Sequence, residues 1–165
     1  MVISLRRATP DDSELLCRLI GDLARYEKEE ESLKVTANTL TRHLSDPNPP
    51  FSAVLAECDG RAAGFALYFF AYSTWEGART LYLEDLFVMP QDRGSGIGAR
   101  LMSFLATIAQ ESGCRRFEWS VLDWNRPAID FYQKIGARPV SGWTRYRLDA
   151  DGIDAFAKEP ERSIA

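Results

Sequence analysis

Apolar residues change their spacing along this chain, and each change marks an element. Ile3 to Arg7 alternates apolar and polar positions, as a half-buried strand does. Thr9-Pro10-Asp11-Asp12 supplies a cap, a proline for the first helical position and carboxylates for the first turn. Behind it Leu15, Leu16, Leu19, Ile20 and Leu23 fall on one helical face. A second helix is predicted from near Thr36 through Leu40 and Leu44, ending in the irregular Asp46-Pro47-Asn48-Pro49-Pro50. Two apolar runs, Phe51 to Glu57 and Ala62 to Tyr72, meet at Asp59-Gly60, a pair suited to a tight β-hairpin. Ser73 to Arg79 reads as a loop. Leu81 to Val88 is a further strand, apolar and aromatic except for Glu84 and Asp85, and Pro90 stops it because proline has no N–H for a ladder. Leu101, Phe104, Leu105 and Ile108 return to helical spacing, up to Gly113. Phe117 to Leu122 is a strand, and Asp123-Trp124-Asn125-Arg126-Pro127 is a break and a helix start. Ala128, Ile129, Phe131, Tyr132 and Ile135 then lie in a short helix ended by Gly136. Trp143 to Leu148 alternates as a last strand, and residues 149–165 read as a weak helix and tail. The predicted fold class is α/β with α+β character: a mixed, mostly antiparallel central sheet flanked by helices, in one domain over residues 1–165.

The glycines of Arg93-Gly94-Ser95-Gly96-Ile97-Gly98 sit where a strand hands over to a helix. The first N–H groups of a helix lack intrahelical acceptors, and the helix dipole adds roughly half a positive charge there. Glycines let a ligand approach the backbone, so the place suits a phosphate or pyrophosphate, with Arg93 as an added cation. Gly94-x-Gly96-x-x-Ala99 also fits the dinucleotide fingerprint, but only 67 residues follow Gly98, too few for the usual succession of βα units.

Composition removes several alternatives. A formal net charge of −4 argues against a general nucleic-acid-binding role. Three cysteines, Cys17, Cys58 and Cys114, are scattered and odd in number, and His43 is the single histidine, so neither a disulfide framework nor a metal site is expected. No signal-peptide pattern opens the chain, and no apolar run approaches the ~20 residues of a membrane span. A reducing, cytoplasmic setting is the expectation.

The glycine segment resembles the acetyl-CoA motif [QR]-x-x-G-x-[GA] of the GCN5-related N-acetyltransferases, and the order of elements is similar to that fold over nearly the whole chain. Ala24-Arg25-Tyr26-Glu27, Gly64-Phe65-Ala66-Leu67-Tyr68, Leu81-Tyr82-Leu83-Glu84-Asp85, Phe87-Val88-Met89 and Trp124-Asn125-x-Pro127-Ala128-Ile129-x-Phe131-Tyr132 look like the diamine or spermidine/spermine N-acetyltransferase subfamily. The resemblance implies that Leu86, Phe87 and Val88, with Arg93, Gly94, Ser95, Gly96, Ile97, Gly98 and Ala99, contact acetyl-CoA. It implies that Asn125, Pro127 and Ala128 line the cofactor's far side, with Tyr132 near its sulfur and Lys134 near its phosphates. Tyr26, Glu27, Glu84 and Asp85 then surround the amine, and a homodimer is implied. The acidic pair that the polyamine enzymes carry before a Gly-Trp is absent from Pro139-Val140-Ser141-Gly142-Trp143. That favours a shorter amine, such as the side chain of thialysine, over spermidine.

The chemistry implied is acetyl transfer from acetyl-CoA to a primary amine. An amine attacks a thioester only when neutral, yet its pKa is ~10, so a group must accept the proton. Glu84 is the first candidate on the strength of the resemblance, with Asp85 beside it pointing to the opposite face because side chains alternate along a strand. Tyr132 is the candidate acid for the departing thiolate. No covalent nucleophile is required, so direct transfer in a ternary complex is the simpler mechanism. A binding module for acyl-CoA or a nucleotide, without catalysis, is the alternative.

Overall fold

The computed structural model describes residues 1–158. The chain groups into two compact bodies, Met1–Asn125 and the stretch from Arg126 onward.

The first body is built on a five-stranded sheet in the order β1-β2-β3-β4-β5. Its strands are β1 (Ile3–Arg7), β2 (Ser52–Cys58), β3 (Arg61–Ser73), β4 (Ala78–Val88) and β5 (Arg116–Trp119). The first four run antiparallel in series, and β5 runs parallel to β4. Three helices accompany them: α1 (Ser13–Glu27), α2 (Ala37–Leu44) and α3 (Ile97–Glu111).

Local chemistry explains the boundaries. Before α1, the Thr9 N–H donates to an Asp12 carboxylate oxygen at 2.8 Å, and the Arg6 guanidinium grips both oxygens of the same carboxylate. That grip, chiefly the Arg6 hydrogen bonds, holds Asp12 down at about 2. Thr36 caps α2 by accepting from the Thr39 N–H. The β2–β3 turn forms as expected, with Asp59 and Gly60 both at positive φ.

Two layers of side chains cover the sheet. On one face Leu16, Leu19 and Leu23 of α1 and Leu40 of α2 pack with Leu55, Phe65, Leu67 and Phe87. On the other, α3 buries Ile97, Leu101 and Leu105 against β2, β3 and β4, where Val54, Tyr68, Leu81 and Leu83 are also buried.

Two expectations need correction. The strand predicted over Phe117–Leu122 stops at Trp119, because β4 offers it a parallel partner only from Thr80 to Leu83. Within the second body, residues 143–148 form no strand, despite their alternation. A strand persists only where another chain segment completes its ladder, and among the described residues none pairs with this one. That body holds α4 (Arg126–Lys134), ended at Gly136 with φ 89°, and α5 (Ala150–Ala157), capped by the Asp149 side chain accepting from the Gly152 N–H. The rest of the expected tail, residues 159–165, lies outside the described residues.

Candidate active site

β4 and β5 part company halfway along. Thr80 to Leu83 pair with Arg116 to Trp119, but Glu84 to Val88 have only β3 beside them among the described residues. The main-chain groups of Glu84–Val88 that would serve a strand on the β5 side are therefore left for other partners. One is already taken: the Val88 carbonyl accepts from Arg93 Nε at 3.1 Å. Leu86, Phe87 and Val88 lie on this edge, with the Phe87 side chain anchored in the core.

The divergence begins at a bulge. Leu67 stands opposite Asp85 and Tyr68 opposite Leu83, so Glu84 is the extra residue. Regular alternation would put Asp85 on the same face as Leu83, toward α3. The bulge shifts it instead onto the face of Leu67, Phe65 and Phe87, which α1 covers. Asp85 therefore does not share a face with Leu83, as regular alternation through Glu84 would have it.

Beyond β4, Pro90–Asp92 makes one turn of 3-10 helix, and Arg93 is extended. Gly94 and Gly96 then take φ values of 78° and 87°, a region that side chains with a Cβ rarely enter. A Cβ built on either would meet nothing within 4 Å, so the space beside the loop is open. Ile97, Gly98 and Ala99 form the first turn of α3, whose first closing bond runs from the Arg100 N–H to the Gly96 carbonyl. The Ser95 hydroxyl donates to the Asp92 carbonyl, and the Asp92 carboxylate takes a two-pronged grip from Arg61 at 2.6 and 2.9 Å. The turn is thereby tied to the start of β3. Sequence reasoning missed this latch, since nothing local couples positions 31 residues apart.

Arg93 does not stand free beside the loop. Its guanidinium lies 4.4 Å from the centroid of the Tyr26 ring and 5.9 Å from that of Phe87. Tyr26 also donates from its hydroxyl to Asn125 Oδ1 at 3.2 Å, and its ring lies 6.1 Å from Trp124. Trp124 was read from sequence as part of a break, not as a neighbour of α1.

Three carboxylates cluster nearby without a cation. Asp85 is pushed up to about 7, first by burial and then by the charges of Glu84 and Glu27. Glu27, the last residue of α1, is raised by burial and by Glu29. Glu84 is exposed. Among the described residues none of the three joins an ion pair, whereas Asp12 and Asp92, each gripped by an arginine, are held below their ordinary range. A part-buried acid without a cation is a place that a cation from outside can satisfy.

Pro127, Ala128, Tyr132 and Lys134 all lie on α4 of the second body. There the Phe131 and Tyr132 rings meet at 5.3 Å, tilted by 53°. Among the described residues no cluster of three or more His, Cys, Asp or Glu side chains is arranged to hold a metal ion, and no helix is long and apolar enough to cross a membrane.

A parallel pair of strands that splays beyond Leu83, and a glycine turn that opens α3, frame the site. Residues 14–137 match the acetyltransferase (GNAT) family. A thialysine N-epsilon-acetyltransferase of Sus scrofa is 35% identical over 166 residues, covering 94% of this chain and 97% of the relative. One from Caenorhabditis elegans is 37% identical over 154 residues, covering 92% and 94%. Among solved structures, an integron cassette protein from the mobile metagenome of V. cholerae superposes with a TM-score of 0.80 at 28% identity, covering 96% of this chain and 99% of that one. The chain belongs to the GNAT acetyltransferase family and is an acetyl-transferring enzyme.

Proposed function

We propose that this enzyme moves the acetyl group of acetyl-CoA to a primary amine of a small molecule, by direct attack within a ternary complex. The observation that carries the proposal is the adjacency, along one strand, of the two things such a reaction needs. Glu84–Val88 offer a main-chain edge without a strand beside it on the β5 side, leading to the open glycine turn, and Asp85 on that same strand is an acid raised by burial and by the charges of Glu84 and Glu27.

The residues fit acetyl-CoA. The first N–H groups of α3, over Gly94 to Ala99, would hold its phosphates, with Arg93 adding charge. Leu86 to Val88 would bind the amide-bearing arm through main chain, as a strand binds a neighbour. Following the family motif, Asn125, Pro127, Ala128 and Lys134 complete the cofactor's surroundings. Bound there, acetyl-CoA supplies an activated thioester, and the chain's own groups manage the protons.

The amine enters as an ammonium, attracted by Glu27 and Asp85. Asp85 is the better proton acceptor of the strand pair, because an acid near 7 lies closer to an ammonium near 10 than an ordinary carboxylate does. Exposed Glu84 passes the proton to solvent or accepts it through water. Tyr132 gives its phenolic proton to the departing sulfur, an assignment that rests on the family motif. The acceptor amine is short, of the thialysine kind, as the names of the pig and nematode relatives and the missing acids before Trp143 both support. The family resemblance supports a homodimer, and the scattered cysteines support a cytoplasmic setting.

Acetyl-CoA consumption measured against thialysine, lysine, polyamines and aminoglycosides tests the whole reading. Turnover is expected with thialysine and to be weaker with spermidine. Stoichiometric CoA binding with no turnover on any amine would make the protein a binding module. For Tyr132→Phe, single-turnover kinetics are expected to show a chemical step ~100-fold slower at unchanged acetyl-CoA affinity. An unaltered chemical rate would leave the tyrosine a packing residue.

A further inference from the structure

Within the first body, one side chain spans the gap that opens between β4 and β5. Arg93 belongs to the chain leaving β4, and Trp124 and Asn125 to the chain leaving β5. Tyr26 touches both: its ring carries the Arg93 guanidinium at 4.4 Å, and its hydroxyl donates to Asn125 Oδ1 at 3.2 Å, with Trp124 at 6.1 Å. Leu83 and Trp119 are the last residues that β4 and β5 pair with each other, so no ladder bond fixes the separation of the two chains beyond them. Tyr26 is well placed to fix it. It sits in the last turn of α1, whose Leu16, Leu19 and Leu23 are buried on the sheet, and α1 ends right after it at Lys28 with a left-handed φ of 61°. The base of the strap is therefore rigid.

We propose that Tyr26 is a positioning residue that holds the chain after β4 and the chain after β5 at the separation acetyl-CoA requires, rather than a contact for the amine. The inference rests on the proposed acetyl-CoA reading. Tyr26 acts from both ends. Through Arg93 it sets the cation beside the glycine turn, and Arg93 is held in addition by its bond to the Val88 carbonyl at the end of β4. Through Asn125 it orients the amide that opens α4. The amine's ammonium is left to the neighbouring residue, Glu27, and to Asp85, which feel one another's charge.

The two ends separate experimentally. Tyr26→Phe keeps the ring under Arg93 and removes the bond to Asn125. A net hydrogen bond of this kind corresponds to a roughly 2- to 10-fold change, so CoA affinity by calorimetry and the KM for acetyl-CoA should worsen by that factor. Tyr26→Leu also removes the aromatic face and should weaken CoA binding a further ~2- to 5-fold. In both variants the KM for the amine should stay within about twofold of the parent. In an Arg93→Met background, Tyr26→Leu should cost no more than Tyr26→Phe does, because the ring then has no guanidinium to hold. Circular dichroism establishes that each variant is folded, and Tyr26→Phe, which changes one atom, keeps the test available if Tyr26→Leu is not. A raised amine KM with unchanged CoA affinity would overturn the inference and return Tyr26 to the amine. Unchanged constants for both substrates would overturn it as well. Failure of the parent protein to bind CoA is a different result, and sinks the acetyl-CoA reading on which the strap depends.

Discussion

Asp85→Asn is expected to remove most of the turnover while making the folded protein more stable at pH 8. Both effects follow from one property. Burial, helped by Glu84 and Glu27, holds Asp85 at about 7 against an ordinary 3.8. Below pH ~4 the carboxyl is neutral in the folded and unfolded chain alike, and folding is not opposed. Between that point and pH 7 the unfolded chain ionises first, so stability falls as pH rises. Above pH 7 the full penalty remains, on the order of 2–4 kcal/mol, with the lower figure allowing for partial solvent contact. Asparagine carries no charge. Denaturant unfolding of the two proteins should therefore agree near pH 4 and diverge toward pH 8, with Asp85→Asn the more stable. In the parent, kcat/KM should rise with pH through about 7 as Asp85 becomes able to accept a proton. Asp85→Asn should lose that limb and ~100-fold or more of the rate. Glu84→Gln is the control, and should keep the limb near pH 7. Should the limb survive in Asp85→Asn and vanish in Glu84→Gln, proton acceptance belongs to Glu84.

The second large effect is expected at the glycine turn. Gly96→Val puts a branched side chain at a φ of 87°, which costs about 1–3 kcal/mol in the loop before any ligand is considered. It also fills space that is open beside the turn. Acetyl-CoA affinity should fall steeply, yet strain alone would account for part of the fall. Gly98→Val separates the two causes, because Gly98 lies inside α3 and its backbone is already helical. Valine is no worse than glycine in a helix, so folding should be kept while a phosphate loses its approach to the first-turn N–H groups. Each charge-assisted bond lost corresponds to a roughly 10- to 100-fold weaker Kd. Calorimetry that finds both folded variants binding CoA like the parent would rule out the turn as the phosphate site.

Where the sequence reading succeeded, the signal was local. Asp59-Gly60 sets its own turn, Thr9 to Asp12 its own cap, and Gly94 and Gly96 between β4 and α3 take the left-handed backbone that glycine adopts at little cost. Where it failed, the missing quantity was a partner. Residues 143–148 alternate as a strand does and Phe117–Leu122 is apolar enough for one, but a ladder exists only where another strand lies alongside. The Arg61–Asp92 latch and the Tyr26–Asn125 bond join positions 31 and 99 residues apart, and neither pair has a spacing that announces it.

The amino-acid sequence by itself determined the class of this protein: the antiparallel strands in series, the glycine turn at the mouth of α3, and the acidic pair on the strand before it. Within that pair the family resemblance put Glu84 first, and nothing local set the facing of Asp85. Glu84 and Asp85 are neighbours of the same chemistry, and regular alternation would have sent Asp85 toward α3. The tertiary structure decided otherwise, because one extra residue in β4 against β3 reverses the facing of everything after it. Asp85 is thereby turned under α1, where the loss of water and the charges of Glu84 and Glu27 raise it to about 7. Burial and like-charge repulsion depend on what surrounds a side chain in space, which no stretch of sequence carries.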